Sequence, residues 1–170
     1  MRAIFLGIFL ISISVITAQE SSLCLNPKFE QTVDNYLSYT VPTISVESLS
    51  DQFDDYLLLD AREQEEYDIS HIKGARHVGY DHFDIKTIQD VSKSQMIVVY
   101  CSIGYRSEKI GEKLQDAGYK KVFNLYGSIF EWTNRNHPLV DSEEKLTQRI
   151  HAYNRSWSKW INSTQHELIY

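Results

Sequence analysis

Met96-Ile97-Val98-Val99-Tyr100 is a run of five uncharged, mainly apolar residues that leads directly into Cys101-Ser102-Ile103-Gly104-Tyr105-Arg106. A short apolar run without alternation is what a strand covered on both faces requires. Residues 104–117 follow with Ile110, Leu114 and Ala117 on one helical face, and Gly118 stops the pattern. A doubly covered strand feeding a helix points to an α/β domain with a mainly parallel sheet. Sheets of that kind place their sites just beyond the carboxyl ends of the strands.

The rest of the chain carries the same alternation. Residues 43–46 and 56–60 read as strands, 75–78 as a short strand and 122–125 as a last one. Charged residues 62–67 favour a helix, 81–88 a short helix, and 128–134 a final helix. Before them, Pro27 opens a predicted helix whose face holds Phe29, Val33, Tyr36 and Leu37, with Pro42 as its stop. The tail, 141–170, sets Ile150, Tyr153, Trp157 and Trp160 at spacings of three, four and three, which suits one helical stripe. Packing onto the domain as a lid or brace is the expected use of those aromatics, ahead of a partner-binding stripe.

Composition narrows the function classes. The 170 residues are 42% hydrophobic with 17 basic against 23 acidic residues, a formal charge of −6, so a phosphate-backbone partner is not expected. Two cysteines can build neither a disulfide framework nor a four-thiolate zinc site. At the N-terminus, Arg2 precedes an apolar stretch from Ala3 to Ile16, and small Ala18 follows. That is the grammar of a secretory signal peptide over 1–18, and the run is shorter than the roughly 20 residues that span a bilayer. An exported protein, periplasmic or secreted, is the expectation; a retained anchor is the alternative. The further segments are then an N-terminal helical extension at 19–42, one domain at 43–140 and an aromatic-rich extension at 141–170.

Cys101 is the residue with chemistry. A thiol at a strand end facing a helix N-terminus sits in positive potential, because the first-turn N–H groups are free and the peptide dipoles align. Arg106 adds a fixed positive charge, and Gly104 lets the loop curl into an anion-binding nest. Together they are expected to lower the thiol pKa and make a nucleophilic thiolate, rather than a buried structural cysteine.

The same residues resemble a known family. Leu58-Leu59-Asp60-Ala61-Arg62, Glu66-Tyr67 and His71-Ile72-Lys73-Gly74-Ala75 look like the amino-terminal signature of rhodanese domains. Residues 98–107 look like their active-site strand and loop, and Gly118-Tyr119 with Val122, Leu125, Gly127 and Trp132 resembles their closing strand and helix. The likeness covers about residues 43–140 in order and spacing. It implies a three-layer α/β fold around a mainly parallel five-stranded sheet flanked by helices. It also implies a single-domain sulfurtransferase: Cys101 attacks the sulfane sulfur of a donor such as thiosulfate, carries a persulfide, and passes the outer sulfur to cyanide, a thiol or a protein acceptor. Arg106 would stabilise the anion, with Ser102, Ile103, Gly104, Tyr105 and Arg62 on the substrate, and no metal or organic cofactor or nucleic acid is implied. A monomer is expected. The alternatives are a non-catalytic anion- or persulfide-binding regulatory module, and a phosphatase or arsenate reductase. The last have a similar cradle with one more residue between Cys and Arg; the four residues between Cys101 and Arg106 suit a single sulfur atom better.

Supporting roles are expected for Asp60, as acceptor for loop amides, and for His71, as a hydrogen-bonded structural residue. Arg62 and Glu66 are four apart, so an ion pair between them is predicted. His77 and His82 lack a third ligand at convincing spacing and are read as surface residues. Cys24 is read as a free thiol in a mobile N-terminal segment, the alternative being a partner for Cys101. Asn154-Arg155-Ser156 and Asn162-Ser163-Thr164 are glycosylation sequons.

Overall fold

The computed structural model describes residues 22–170. The predicted signal peptide lies outside the described residues. Five parallel strands form the central sheet: β1 (Thr43–Ile44), β2 (Leu57–Asp60), β3 (Arg76–His77), β4 (Met96–Tyr100) and β5 (Lys121–Leu125), in the order β1-β5-β4-β2-β3. β4 is central, with Val98 opposite Leu58 on one side and Phe123 on the other. Because side chains alternate across a strand, its residues feed two cores. Val98 and Tyr100 join Leu58 and Leu125 on one face; Ile97, Val99 and Cys101 join Leu59 and Val122 on the other.

Five helices supply the outer layers: α1 (Pro27–Tyr36), α2 (Val46–Asp51), α3 (Gln64–Ile69), α4 (Tyr105–Asp116) and α5 (Ser128–Asn134). Phe29 and Val33 of α1, Leu49 of α2 and Phe130 of α5 cover the first face, while Ile110 and Leu114 of α4 cover the second. Each of these fully buried side chains contributes about 1.5–3 kcal/mol, so coverage on both faces outweighs the small propensity of a five-residue strand. The sheet is the mainly parallel α/β arrangement read from the sequence.

Three local readings are corrected. Helix α1 ends at Tyr36, before Pro42, because the carboxylate of Glu108 in α4 accepts the Ser38 N–H at 2.9 Å and the Thr40 N–H at 3.1 Å. Those bonds offer the chain an alternative to another helical turn. The predicted helix at 81–88 is only a 3-10 turn, Ile85–Ile88, started where Asp84 accepts the Lys86 N–H. The tail is not one helix. Its start, β7 (Leu146–Thr147), pairs back on the last domain residues, β6 (Leu139–Val140), as a hairpin, and a two-stranded parallel sheet of β8 (Arg149–His151) and β9 (Glu167–Ile169) follows. Ile150 lies in β8, and Asn154 Oδ1 accepts the N–H groups of Ser156 and Trp157, bending the chain between them. The brace reading of the aromatics holds at Trp160, which stacks on Phe29 at 5.6 Å while its carbonyl accepts from Asn134 Nδ2 at 2.9 Å.

Candidate active site

Cys101 follows the last residue of β4 and precedes the loop into α4, so it lies at the carboxyl edge of the sheet. Its backbone N–H donates to Ser128 Oγ at 3.1 Å, tying the strand end to α5. Gly104 N–H donates to Cys101 Sγ at 3.2 Å. The Ser107 hydroxyl stands 3.5 Å from the same sulfur, 3.1 Å from the Gly104 carbonyl and 2.7 Å from Asn124 Oδ1, with one proton to place among the three. Asn124 in turn donates from Nδ2 to the Gly104 carbonyl at 3.0 Å, which pins the loop from behind. Gly104 has φ +125°, and a Cβ there would come within 3.2 Å of Leu37 Cδ2. The loop therefore needs glycine for backbone conformation as well as for space.

Burial opposes a charge on Cys101, but the Arg106 guanidinium and the donors of Ser107 and Gly104 outweigh it, and the thiol pKa is lowered from its ordinary value. The acidic thiol expected from the strand–loop–helix pattern is what these contacts produce. No side chain caps the start of α4, so its first-turn N–H groups stay available to an anion.

Arg106 does not point its fork at the sulfur. It donates from both terminal nitrogens to Glu66, at 2.6 and 2.8 Å, and from Nη2 to Ser102 Oγ at 3.0 Å. Burial opposes the Glu66 carboxylate, yet Arg106 holds its pKa below the usual value. The predicted Arg62–Glu66 pair is absent. Glu63 is the N-cap of α3, so Arg62 lies before the helix and the four-residue spacing brings no face contact. Arg62 is fully buried and pairs with Asp60, with Nη2 at 2.6 Å from Oδ2, and also donates to the Ser70 carbonyl at 2.7 Å. It does not line the cavity over Cys101, which corrects its expected place on the substrate. Asp60 also accepts the Arg62 N–H at 2.9 Å, as expected of a loop-amide acceptor.

The other supporting residues are also placed. His71 is buried, with Nδ1 3.1 Å from the Tyr67 carbonyl and its ring stacked on Tyr67 at 3.8 Å. His77 Nε2 donates to the Arg62 carbonyl at 2.8 Å. Cys24 is a free thiol but belongs to no loose segment: it is 1% exposed and packed into the core, and burial raises its pKa. Its N–H donates to Glu30, and the following Leu25 N–H donates to Glu131 at 2.9 Å, which holds the segment down.

A cavity of about 230 Å³ opens over Cys101. Ser102, Ile103 and Arg106 line it with the cysteine, and Tyr105 lines it as expected. Three further wall residues, Tyr36, Tyr153 and Trp157, were legible in the sequence only as packing aromatics. Asn124 and Ser107 were missed too. A buried asparagine in the otherwise apolar end of β5 was the available signal, since a buried amide requires partners.

The charge on Arg106 sets a pH profile. The depressed thiol pKa means that the thiolate contributes to stability above the ordinary thiol range, and that this contribution is lost as pH falls through the folded value. Alkylation of Cys101 by iodoacetamide, followed against pH, is expected to reach half its maximum below the ordinary thiol range. Arg106→Met moves that midpoint upward, and Arg106→Lys, which keeps a charge, moves it less. An unchanged midpoint in Arg106→Met would show that the loop donors suffice.

A family model described as Rhodanese-like domain matches residues 45–135. A tRNA uridine(34) hydroxylase of the Aster yellows witches'-broom phytoplasma is 27% identical over 154 residues, 87% of this chain and 48% of that protein. The chain thus spans about half the length of that curated relative. Thiosulfate sulfurtransferase GlpE of Coxiella burnetii is 28% identical over 90 residues, 53% of this chain and 82% of that protein. Among solved structures, a rhodanese-related protein of Thermoplasma volcanium superposes with TM-score 0.53 at 23% identity, over 58% of this chain and 97% of that one, a likeness of fold.

Proposed function

The chain belongs to the rhodanese-like domain family, and on that premise we propose that it transfers sulfane sulfur through a persulfide on Cys101. The observation that carries this reading is a thiol of lowered pKa at the base of a cavity, held by Gly104 N–H and backed by Arg106. A thiolate attacks the outer sulfur of a donor such as thiosulfate, sulfite leaves with the electron pair of the broken S–S bond, and Cys101 keeps the persulfide. The charge then spreads to the outer sulfur, which projects from the same cradle of loop donors. Attack by cyanide or a thiolate on that outer sulfur returns Cys101 as thiolate. No acid or base beyond the thiol is required, because sulfite and the Cys101 thiolate both depart without a proton.

Arg106 favours this chemistry over phosphate-ester hydrolysis or arsenate reduction, because only the outer sulfur of the donor, and not its oxyanion group, has to enter the cradle. An oxyanion site presents a free arginine fork for two parallel hydrogen bonds. Here both terminal nitrogens are committed to Glu66. The test is mass spectrometry of the protein after incubation with thiosulfate. A gain of one sulfur atom on Cys101, removed by cyanide with release of thiocyanate, is expected. Absence of that adduct with thiosulfate and with inorganic polysulfide overturns the proposal.

A further inference from the structure

Three of the eight residues that line the cavity come from outside the segment that carries the family match, residues 45–135. Tyr36 stands on α1, and Tyr153 and Trp157 stand on the C-terminal segment beyond β8. The rings support one another: Tyr36 meets Trp157 edge-on at 5.2 Å and Tyr105 at 6.4 Å. Their placement is held at both ends. Glu108 of α4 fixes the chain just after Tyr36 through the Ser38 and Thr40 amides. Asn134 of α5 takes the Asn162 N–H on Oδ1 at 2.9 Å and gives Nδ2 to the Trp160 carbonyl, so the segment with Trp157 is anchored to the domain.

The charge at this mouth is already balanced. Among the described residues, Arg106 is the one cation that lines the cavity, and Glu66 occupies it. The Arg106 guanidinium carbon also lies 5.2 Å from the Tyr153 ring centroid, so that ring is covered by the protein's own cation. His151, 3.9 Å from Glu66, is disfavoured as a second cation: burial lowers its pKa, and its Nδ1 accepts the Tyr153 N–H at 3.2 Å. A small inorganic reactant such as cyanide would make no use of the four lining rings, Tyr36, Tyr105, Tyr153 and Trp157. A flat apolar body would fill the space beside them and be removed from water there.

We propose that the sulfur acceptor is an uncharged organic thiol with an aromatic or similarly flat apolar body, selected by Tyr36, Tyr153 and Trp157. This rests on the sulfur-transfer reading and names the substrate class of the same site. The acceptor thiolate attacks the outer sulfur of the Cys101 persulfide and forms a new S–S bond. The bond between that sulfur and Cys101 Sγ breaks, its electron pair stays on Sγ, and the acceptor leaves as an organic persulfide. The thiol proton goes to solvent, and the exchange involves no net oxidation.

The full chain, loaded with inorganic polysulfide, is discharged by phenylmethanethiol and by 2-mercaptoethanol, two thiols of comparable acidity that differ in apolar body. The ratio of their kcat/KM values reads the selectivity. The unchanged protein is expected to favour phenylmethanethiol by at least about tenfold, and Trp157→Ala to reduce the ratio about tenfold. Tyr36→Ala alters a side chain that is 47% exposed, so it reports the same ratio whatever Trp157→Ala does to folding. A ratio near one in the unchanged protein, or one that neither variant moves, overturns the inference while leaving sulfur transfer standing. Failure of polysulfide to add sulfur to Cys101 overturns the reading beneath it as well.

Discussion

Cys101→Ser is expected to lower thiosulfate-to-cyanide sulfur transfer more than about a thousandfold, to the uncatalysed background, while the protein stays folded. Serine keeps the size of the side chain nearly unchanged and can still accept the Gly104 N–H. Its hydroxyl has no accessible anion at neutral pH and forms no persulfide, so both half-reactions stop together. Stability should move by about 1 kcal/mol, because one buried acceptor replaces another. The measurement is the rate of thiocyanate formation beside a urea unfolding curve. Activity within tenfold of the unchanged protein would mean that sulfur passes through some other group. Cys24 offers no ready substitute, since it is buried in the core and its thiol pKa is raised.

Asp60→Ala is expected to be the most destabilising single change, about 3–5 kcal/mol. Both partners of the Asp60–Arg62 pair are completely buried. Burial opposes the guanidinium charge, and Asp60 more than offsets it, so the Arg62 pKa is raised. Without Asp60 the cation keeps only the Ser70 carbonyl, and it cannot lose its proton to escape the cost. A loss of that size is a large share of the roughly 5–15 kcal/mol typical of a domain, and it should lower Tm by roughly 10 °C. Replacing both residues, Asp60→Leu with Arg62→Met, should recover most of the loss, because the buried charge goes with its partner. Urea midpoints of the single and double variants test this. A loss under about 1 kcal/mol in Asp60→Ala would show that water reaches the guanidinium.

The sheet was legible because its signals are local. β4 is five residues of one character, α4 carries its own apolar face, and the break between them holds the glycine that turns the chain. Where readings failed, a distant group had intervened. Arg62 and Glu66 look like helix neighbours by spacing, but the helix starts after Arg62, so each finds a different partner. Pro42 looks like the natural end of α1, but Glu108 captures the chain earlier. The tail aromatics suit a helix by spacing, but pairing of β8 with β9 and the turn at Asn154 claim the backbone first. An ionisable side chain or a free strand edge takes whichever partner the fold brings near, and spacing along the chain does not encode that.

The sequence by itself determined where the acidified thiol lies, because a strand end, a curling glycine and a helix N-terminus are adjacent in the chain and impose their geometry within a few residues. Only the tertiary structure decided what answers Arg106 and what stands over the sulfur. Glu66 reaches Arg106 across 40 residues and Glu108 holds the chain after Tyr36 across 70, contacts that exist only once the sheet has stacked its helices. The fold thereby places the N-terminal and C-terminal segments as the walls of one cavity.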